Sequence, residues 1–367
     1  MAVAIGSKSV RSNASKIMFG SLRLLLALMV MLGHLVGGEQ MSHLGYYAVR
    51  GFFILSGFLM TAGLNEVYQF DGRRYFINRA LRLLPQYYIV CLLTLVAVIL
   101  APESAAQFIQ QWIPSLLWRD ALTDLIFLPL QHPEPHYRLV PNTWSIAVEI
   151  QLYIFLFVFL ARSERYALIG LGFGILYHGV CIYNGLHFGY RYFGPAAACL
   201  SYSLGAVTYF WIKRGELNVS PRAGSIALSL WLANLLMANS FLSPAYVYGP
   251  GYYIGTVLFV LVVAGLAQAK APLALMRLDN LLGDLSYPVF LLHWLVGFVI
   301  AAALMPDSLR GWHLFLTALL PTLLGAAILA IVSHKFINPL RLRVRQSAAH
   351  REARAVDQGA LVAQSSA

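Results

Sequence analysis

Long apolar stretches, separated by short polar segments, run through most of the chain. Each is close to the roughly 20 residues that a helix needs to cross the hydrocarbon core of a bilayer. In lipid, the backbone N–H and C=O groups of a span must form their hydrogen bonds within that span, so every stretch is expected to be helical. The pattern predicts an all-α integral membrane protein, a bundle of about ten transmembrane helices. The predicted spans are 18–37, 45–64, 83–101, 143–161, 166–186, 195–212, 222–241, 252–269, 285–304 and 314–334.

Two stretches need separate interpretation. The run 18–37 is too long for the apolar core of a signal peptide and is followed by nine more spans, so it is predicted to be a retained helix. The stretch Ile113–Leu130 is broken by Pro114, Arg119 and Pro129, which favours an interfacial or re-entrant segment. The predicted organisation is an N-terminal segment 1–17, a transmembrane domain 18–337 and a tail 338–367 that is basic and then disordered.

Composition and charge support the prediction of a transmembrane helical bundle. Hydrophobic residues make up 59% of the chain and charged residues 11%, too few to cover a soluble surface. Of the 26 Lys and Arg residues, all but five fall on the side of the N-terminus when the spans alternate; the exceptions are Arg119, Arg138, Arg191, Arg310 and, within the second span, Arg50. This bias predicts that both termini are cytoplasmic, and it explains the net charge of +11 without nucleic acid.

The three cysteines lie in apolar runs without metal-ligand spacing. No CxxC pair joins Cys91, Cys181 and Cys199, so neither a disulfide framework nor a metal site is predicted.

The first span carries two ionisable residues, Arg23 and His34, with ten residues between them. Eleven helical steps return to within about 20° of the starting direction, so both side chains share one face, about 16 Å apart along the axis. A cation at the cytoplasmic mouth and an imidazole deeper in the membrane suit a cytosolic anionic cofactor with a long arm. The alternatives are a snorkelling arginine and a hydrogen-bonded core histidine.

A basic cluster follows the second span on the predicted cytoplasmic side. Arg79 and Arg82 are three residues apart, so two guanidinium groups could grip one phosphate-bearing group. The alternative is that both only anchor the topology.

The fourth predicted span contains Glu149, the one carboxylate in the middle of any span. It either pairs with an arginine, with Arg50 as one candidate, or handles a proton. Pairing is the favoured interpretation because a buried charge usually persists by being compensated. In the second span, Ser56-Gly57 predicts a spot of close approach, more simply to another helix than to a ligand.

The ninth predicted span has a polar stripe. Gly283, Ser286 and His293 lie at offsets of three and ten residues, on one helical face. Such a stripe is expected to face the bundle interior or a water-filled cavity.

Taken in order, these pieces resemble the membrane-bound acyltransferase family 3, whose members O-acylate carbohydrates and other extracytoplasmic acceptors. The compact form is similar to the rhizobial nodulation and exopolysaccharide O-acetyltransferase branch. One departure is Asn338, in Phe336-Ile337-Asn338-Pro339, where many members have a glutamate. The chain is expected to lack the esterase-like extension that some members carry. The matching pieces are Arg23 with His34, Phe52 to Phe58, Arg79 to Arg82 with Pro85 and Tyr88, Trp144-Ser145 with Glu149 and Tyr153, and Gly283 to His293.

The resemblance implies a multi-pass enzyme of the bacterial inner (cytoplasmic) membrane. Acetyl-CoA from the cytoplasm would be the co-substrate, with no bound cofactor or metal, and Arg23, Arg79 and Arg82 would hold its phosphates. His34 would act as general base on a hydroxyl, or carry the acyl group transiently. The acceptor would be a carbohydrate such as a Nod-factor-like lipo-oligosaccharide or an exopolysaccharide. The supporting residues would be Ser56, Trp144, Ser145, Glu149, Tyr153, Ser286 and His293.

Two other classes of protein compete with an acyltransferase. Buried His, Arg and Glu residues would also serve a proton-coupled secondary transporter of a small solute or glycan precursor. The chain shows no two halves with matching broken helices, the usual sign of such carriers. A structural subunit of a polysaccharide export complex would leave Arg23 and His34 unexplained.

Overall fold

The computed structural model describes residues 18–109, 112, 139–240, 243–305 and 310–345. Within these ranges every regular element is helical, and each predicted span overlaps one main helix, although the helices Gly72–Leu100 and Leu273–Leu304 begin well before the predicted 83 and 285. The predictions for 1–17, for Ile113–Leu130 and for the end of the tail lie outside the described residues. The main helices are α1 (Gly20–Val36), α2 (Gly38–Ala62), α3 (Gly72–Leu100), α4 (Trp144–Phe155), α5 (Glu164–Tyr183), α6 (Gly194–Arg214), α7 (Pro221–Ser240), α8 (Pro250–Gln268), α9 (Leu273–Leu304) and α10 (Trp312–Val332).

Shorter elements join or extend these helices. The π-helical turns Gly63–Tyr68, Leu156–Leu160 and Ser333–Ile337 follow α2, α4 and α10, and helical backbone continues after α10 as far as residue 345. The remaining short helices are Pro102–Phe108, Pro141–Thr143, Gly189–Tyr192 and Pro244–Val247.

The bundle has the surface of a membrane protein. Seven helices of the described residues are long and apolar enough to cross a membrane, and α1 is a shorter apolar helix. Large apolar side chains point outward: Leu100, Leu176 and Ile331 are 79%, 66% and 65% exposed. Surfaces of this kind require an apolar solvent. The number of helices that span the bilayer and the side of the termini stay predictions.

Helix α1 is short because the chain turns back at two consecutive glycines. Gly37 and Gly38 have φ of +71° and +77°, a left-handed conformation that residues with a Cβ rarely adopt. The backbone N–H of Gly311 donates to the carbonyl of Leu35 at 3.0 Å, which ties this turn to the start of α10. His34 therefore lies in the last turn of α1, at the end opposite Arg23.

The other end of α1 is held by a carboxylate of α9. Asp279 is 3% exposed and accepts hydrogen bonds from the backbone N–H groups of Gly20 and Ser21 at 2.7 and 2.8 Å, and from the Ser21 hydroxyl at 2.7 Å. A negative charge is favourable at a helix N-terminus, where the N–H groups lack intrahelical partners. The two helices touch here, because a Cβ on Gly20 would lie 1.6 Å from the backbone oxygen of Asp279.

Small residues also bring α2 against α6. A Cβ on Gly57 would lie 2.3 Å from the carbonyl oxygen of Tyr202, and one on Gly205 would lie 2.2 Å from that of Ile54. The packing interpretation of Gly57 is therefore confirmed.

Candidate active site

Three cavities follow one another through the bundle, and we call them the mouth, middle and outer cavities. The mouth and middle cavities share Arg23, Arg82 and Tyr287 in their walls. The middle cavity, with an empty volume of about 790 Å³, shares Val49, Ser145 and Phe290 with the outer cavity. Because neighbouring cavities have wall residues in common, they lie in a row from the N-terminal end of α1 to its C-terminal end, and we call this row the passage.

Arg23 and His34 both line this passage, as their common helical face predicted. Arg23 borders the mouth and middle cavities, and His34 borders the outer cavity. The Arg23 guanidinium lies over Gly283 of α9, where a Cβ would come within 2.7 Å of Nη2. A side chain at position 283 would therefore push Arg23 out of its place.

The mouth cavity is built where the N-terminal half of α9 meets the residues after α10. Nε2–H of His334 donates to Asp284 at 2.6 Å, and the side-chain amide of Asn338 donates to Nδ1 of His334 at 2.8 Å. Arg341 in turn donates to the Asn338 oxygen at 2.9 Å. All four residues line the cavity, so Asn338 lies at the mouth and joins His334 to Arg341.

Arg79 and Arg82 reach the middle cavity together. Arg79 is 5% exposed and donates from Nη2 to the Tyr68 hydroxyl at 3.3 Å. Its Nε and Nη1 are enclosed and have no hydrogen-bond partner among the described residues. A buried guanidinium with unsatisfied donors is costly, and an anionic ligand in the cavity would satisfy it.

Glu149 does not pair with Arg50, so that interpretation is wrong. Its carboxylate accepts a hydrogen bond from the Ser56 hydroxyl at 2.9 Å and a very short one from the Tyr153 hydroxyl, and all three line the middle cavity. The guanidinium carbon of Arg50 lies 4.1 Å from the centre of the Tyr252 ring. Arg50 precedes Ser56 by six residues, which places the two about 120° apart around α2. No Lys or Arg nitrogen in the described ranges lies within 4.0 Å of the Glu149 carboxylate.

Polar and aromatic residues at the start of α4 form one wall of the outer cavity. Trp144 and Ser145 line it, and the Ser145 hydroxyl donates to the Asn142 carbonyl at 3.0 Å. The Trp144 ring packs edge-on against Tyr192 and Phe193, with centroids 5.1 and 4.7 Å apart.

The polar stripe of α9 faces the interior, as predicted. Ser286 is 4% exposed, lines the middle cavity and donates from its hydroxyl to the Gly283 carbonyl at 2.8 Å. His293 is fully buried, and its Nε2 lies 2.9 Å from Nδ1 of His34. The stripe therefore reaches from the mouth of the passage to the histidine at its far end.

Sequence reasoning missed three residues of this region. Asn142 donates from its side chain to the Phe290 carbonyl at 2.6 Å, which fixes the start of α4 on α9. Asp279 caps α1, and Arg341 was counted only among the cytoplasmic charges. Only Asp279 could have been found from the sequence, because it is a carboxylate in a largely apolar segment.

The fold and the passage define a helical membrane protein whose interior holds arginines at one end and paired histidines at the other. Residues 19–331 match a family model described as an acyltransferase domain, the acyltransferase 3 family. The chain therefore belongs to this family, and the resemblance seen in the sequence is confirmed.

Two relatives illustrate the range of similarity. A protein of Staphylococcus aureus (strain COL), named "Putative O-acetyltransferase", is 24% identical over 313 residues, covering 75% of this chain and 49% of the relative. The "Putative peptidoglycan O-acetyltransferase YrhL" of Bacillus subtilis (strain 168) is 26% identical over 337 residues, covering 81% of this chain and 50% of the relative. The chain thus spans about half the length of these curated relatives. No solved structure matches it.

Proposed function

We propose that this protein is a membrane O-acyltransferase that moves an acetyl or other acyl group from cytoplasmic acyl-CoA to a carbohydrate hydroxyl on the other side of the membrane. The observation that carries the proposal is the passage itself, with Arg23 at the mouth end and His34 at the other. A donor with a charged head and a long thioester arm has this shape.

The arginines of the mouth and middle cavities suit the phosphates of coenzyme A. Arg23, Arg79, Arg82 and Arg341 bring four guanidinium groups to the walls of two adjoining cavities. Guanidinium forks bind phosphate oxygens with paired, charge-assisted hydrogen bonds. Arg79 lines the middle cavity and two of its guanidinium nitrogens have no hydrogen-bond partner among the described residues, so its charge is left for such a ligand to compensate.

The distance between Arg23 and His34 along α1 suits the pantetheine arm of the donor. Arg23 and His34 are eleven residues apart, which is about 16 Å of helix rise. With its phosphates at the arginines, the pantetheine arm would run through the middle cavity and bring the thioester carbon beside His34. Ser56, Ser145 and Ser286 would line this channel.

His34 acts on the acceptor in this proposal. Its imidazole takes the proton of the acceptor hydroxyl as the oxygen attacks the thioester carbonyl. The new ester C–O bond forms, the C–S bond breaks, and the proton passes from the imidazole to the departing thiolate. The products are the acylated carbohydrate and free coenzyme A.

The acceptor class is a carbohydrate presented outside the cytoplasm. Lipo-oligosaccharides of the Nod-factor kind, exopolysaccharides and, from the name of the Bacillus relative, peptidoglycan all offer the required hydroxyl. The topology that goes with this function has ten spans in the bacterial inner membrane and both termini in the cytoplasm.

Transfer in proteoliposomes tests the proposal. Acetyl-CoA with a labelled acetyl group is supplied only on the side of the N-terminus, and an oligosaccharide acceptor only on the other side. We expect labelled acceptor and stoichiometric release of free coenzyme A. Uptake of the acceptor without release of coenzyme A would favour a carrier and overturn the proposal.

A further inference from the structure

The imidazole rings of His34 and His293 are joined edge to edge. Nδ1 of His34 lies 2.9 Å from Nε2 of His293, the ring planes are 17° apart, and the centroids are 5.1 Å apart. The two residues come from α1 and α9, far apart in sequence. One nitrogen of this pair must donate the hydrogen bond and the other must accept it.

A backbone carbonyl decides which nitrogen donates. Nδ1 of His293 lies 3.2 Å from the carbonyl oxygen of Val289, which can only accept, so this nitrogen carries the hydrogen. In a neutral His293 ring, Nε2 is then bare, meaning that it carries no hydrogen, and it accepts a hydrogen bond from Nδ1–H of His34. By the same rule, Nε2 of a neutral His34 is left with a free lone pair.

The residue that carries this lone pair borders the passage. His34 lines the outer cavity, and its Nε2 makes no hydrogen bond within the described part of the chain. His293 is fully buried and is not among the residues lining any of the three cavities. The two rings therefore have different positions: His34 borders the cavity in which the substrates would bind, and His293 contacts His34 from outside that cavity.

Aromatic packing holds His34 in this orientation. The Trp294 ring lies against it, with centroids 4.8 Å apart, and the guanidinium of Arg310 lies 4.7 Å from the centre of the same Trp294 ring. No carboxylate of the described residues hydrogen-bonds to either histidine, so the usual acidic partner of a catalytic histidine is replaced by a neutral imidazole.

We propose that His293 is a positioning residue that holds His34 as the Nδ1–H tautomer, with Nε2 bare and aimed at the acceptor hydroxyl. The proposal rests on the function proposed above, in which His34 is the proton acceptor. Without the acceptor nitrogen of His293, His34 would also populate the tautomer with hydrogen on Nε2, which cannot take a proton there. A group that fixes the tautomer and angle of a working imidazole acts through that imidazole and not on the substrate.

Two amide substitutions that differ by one methylene separate this role from the bond to Val289. In His293→Gln, the side-chain oxygen reaches the position of Nε2 and can still accept from His34. In His293→Asn, the amide reaches only the position of Nδ1, so it keeps the bond to Val289 and loses the one to His34. We expect His293→Gln to retain most of the wild-type kcat and His293→Asn to lose it by about 10- to 100-fold, the usual cost of removing the partner that fixes the tautomer and angle of a working imidazole.

A role limited to the bond with Val289 predicts the opposite order, because asparagine preserves that bond and glutamine does not. The shorter asparagine also leaves a small cavity, so kcat is compared per amount of folded protein in each variant. The matched control is His178→Gln, a buried histidine held by the Tyr253 hydroxyl and the Ala197 carbonyl away from the passage. It should leave kcat unchanged. The KM for acetyl-CoA should be unchanged in all three variants. A kcat for His293→Asn equal to or above that of His293→Gln would overturn the proposal.

A spectroscopic measurement separates this inference from the proposed function. In protein labelled with ¹⁵N-histidine, the shifts of the two His34 nitrogens, assigned by comparison with His34→Gln, report which one is bare. We expect a bare Nε2 in the wild type and in His293→Gln, and a mixture of tautomers in His293→Asn. The same His34 tautomer in all three would overturn the positioning role even if transfer is demonstrated. The expected shifts would uphold it even if the reaction differs from the one proposed.

Discussion

The two ends of the passage use different chemistry to hold polar groups inside an apolar bundle. Arg23, Arg79 and Arg82 line the mouth and middle cavities, with Glu149 and Asp284 in the same walls. The described residues that line the outer cavity include no Lys, Arg, Asp or Glu. Its polar groups are the His34 imidazole, an amide and hydroxyls.

This difference follows from what each end has to do. A permanently charged arginine is expensive to bury unless an opposite charge arrives, so it is a good receptor for phosphate. A general base must be unprotonated in its resting state, and for an imidazole that form is neutral, so a hydrogen-bonded imidazole can be buried at lower cost than a charged group. Substitutions at the two ends should therefore alter different steps of one reaction.

The largest effect is expected from His34→Ala at the outer end. Transfer should fall by about 100- to 10,000-fold, because a positioned general base contributes on this scale. Binding of acetyl-CoA to the purified protein in detergent should be unchanged, since the phosphates are held at the other end. Turnover close to that of the wild type would show that His34 is a structural residue and that the outer end is not where proton transfer takes place.

Substitution of Arg79 should have the next largest effect, and on binding rather than on turnover. Arg79→Gln removes donors to a charged ligand, which costs about 1.5–3 kcal/mol, a rise in Kd for acetyl-CoA of roughly 10- to 150-fold. Arg79→Lys should recover part of this, because an ammonium group cannot form the bidentate fork. Equilibrium binding to the solubilised protein measures both.

The matched control for Arg79 is Arg162. Its guanidinium stacks on Phe70 and donates to the Phe157 carbonyl, and it lines none of the three cavities of the passage. Arg162→Gln should leave the affinity for acetyl-CoA unchanged. If Arg79→Gln behaves in the same way, Arg79 is only a topology anchor and the donor site lies elsewhere.

The sequence predicted the helices and the inward-facing stripes well, because both depend on local periodicity. The stretch lengths located all ten main helices, and the eleven-residue step from Arg23 to His34 placed both residues on the passage. Offsets along α9 likewise placed Ser286 and His293 inside. These predictions require only the pitch of a helix.

Contacts between helices could not be predicted in the same way. Glu149 was expected to pair with an arginine, with Arg50 as one candidate, yet it accepts hydrogen bonds from Ser56 and Tyr153. Which faces meet depends on crossing angles and on small residues such as Gly57, and one sequence does not specify them. The contact between His34 and His293 was missed for the same reason.

Trp144 at the outer end should give a smaller effect than Arg79, and on the acceptor rather than on the donor. Its ring borders the outer cavity, and an aromatic face against a bound group contributes about 0.5–1.5 kcal/mol beyond burial. Trp144→Ala should raise the acceptor KM by a factor of roughly two to ten, with the Kd for acetyl-CoA unchanged. Trp211→Ala is the control, because Trp211 donates to Glu164 outside the passage. Equal effects of both variants would remove Trp144 from the acceptor site.

The smallest predicted effect concerns Asn338 at the mouth, where the family resemblance leads one to expect a glutamate. In this chain its amide donates to His334 and accepts from Arg341. In Asn338→Glu the carboxylate cannot donate to His334, and it pairs with Arg341 and offsets part of the positive charge at the mouth. A pair at such a half-exposed place is worth about 0.2–1 kcal/mol, so affinity for acetyl-CoA should fall by at most a factor of roughly five. Asn338→Gln, which adds no charge, should leave the affinity unchanged. Tighter binding in Asn338→Glu would mean that Arg341 does not attract the donor, and the basic end of the passage would then begin at Arg23 and Arg82.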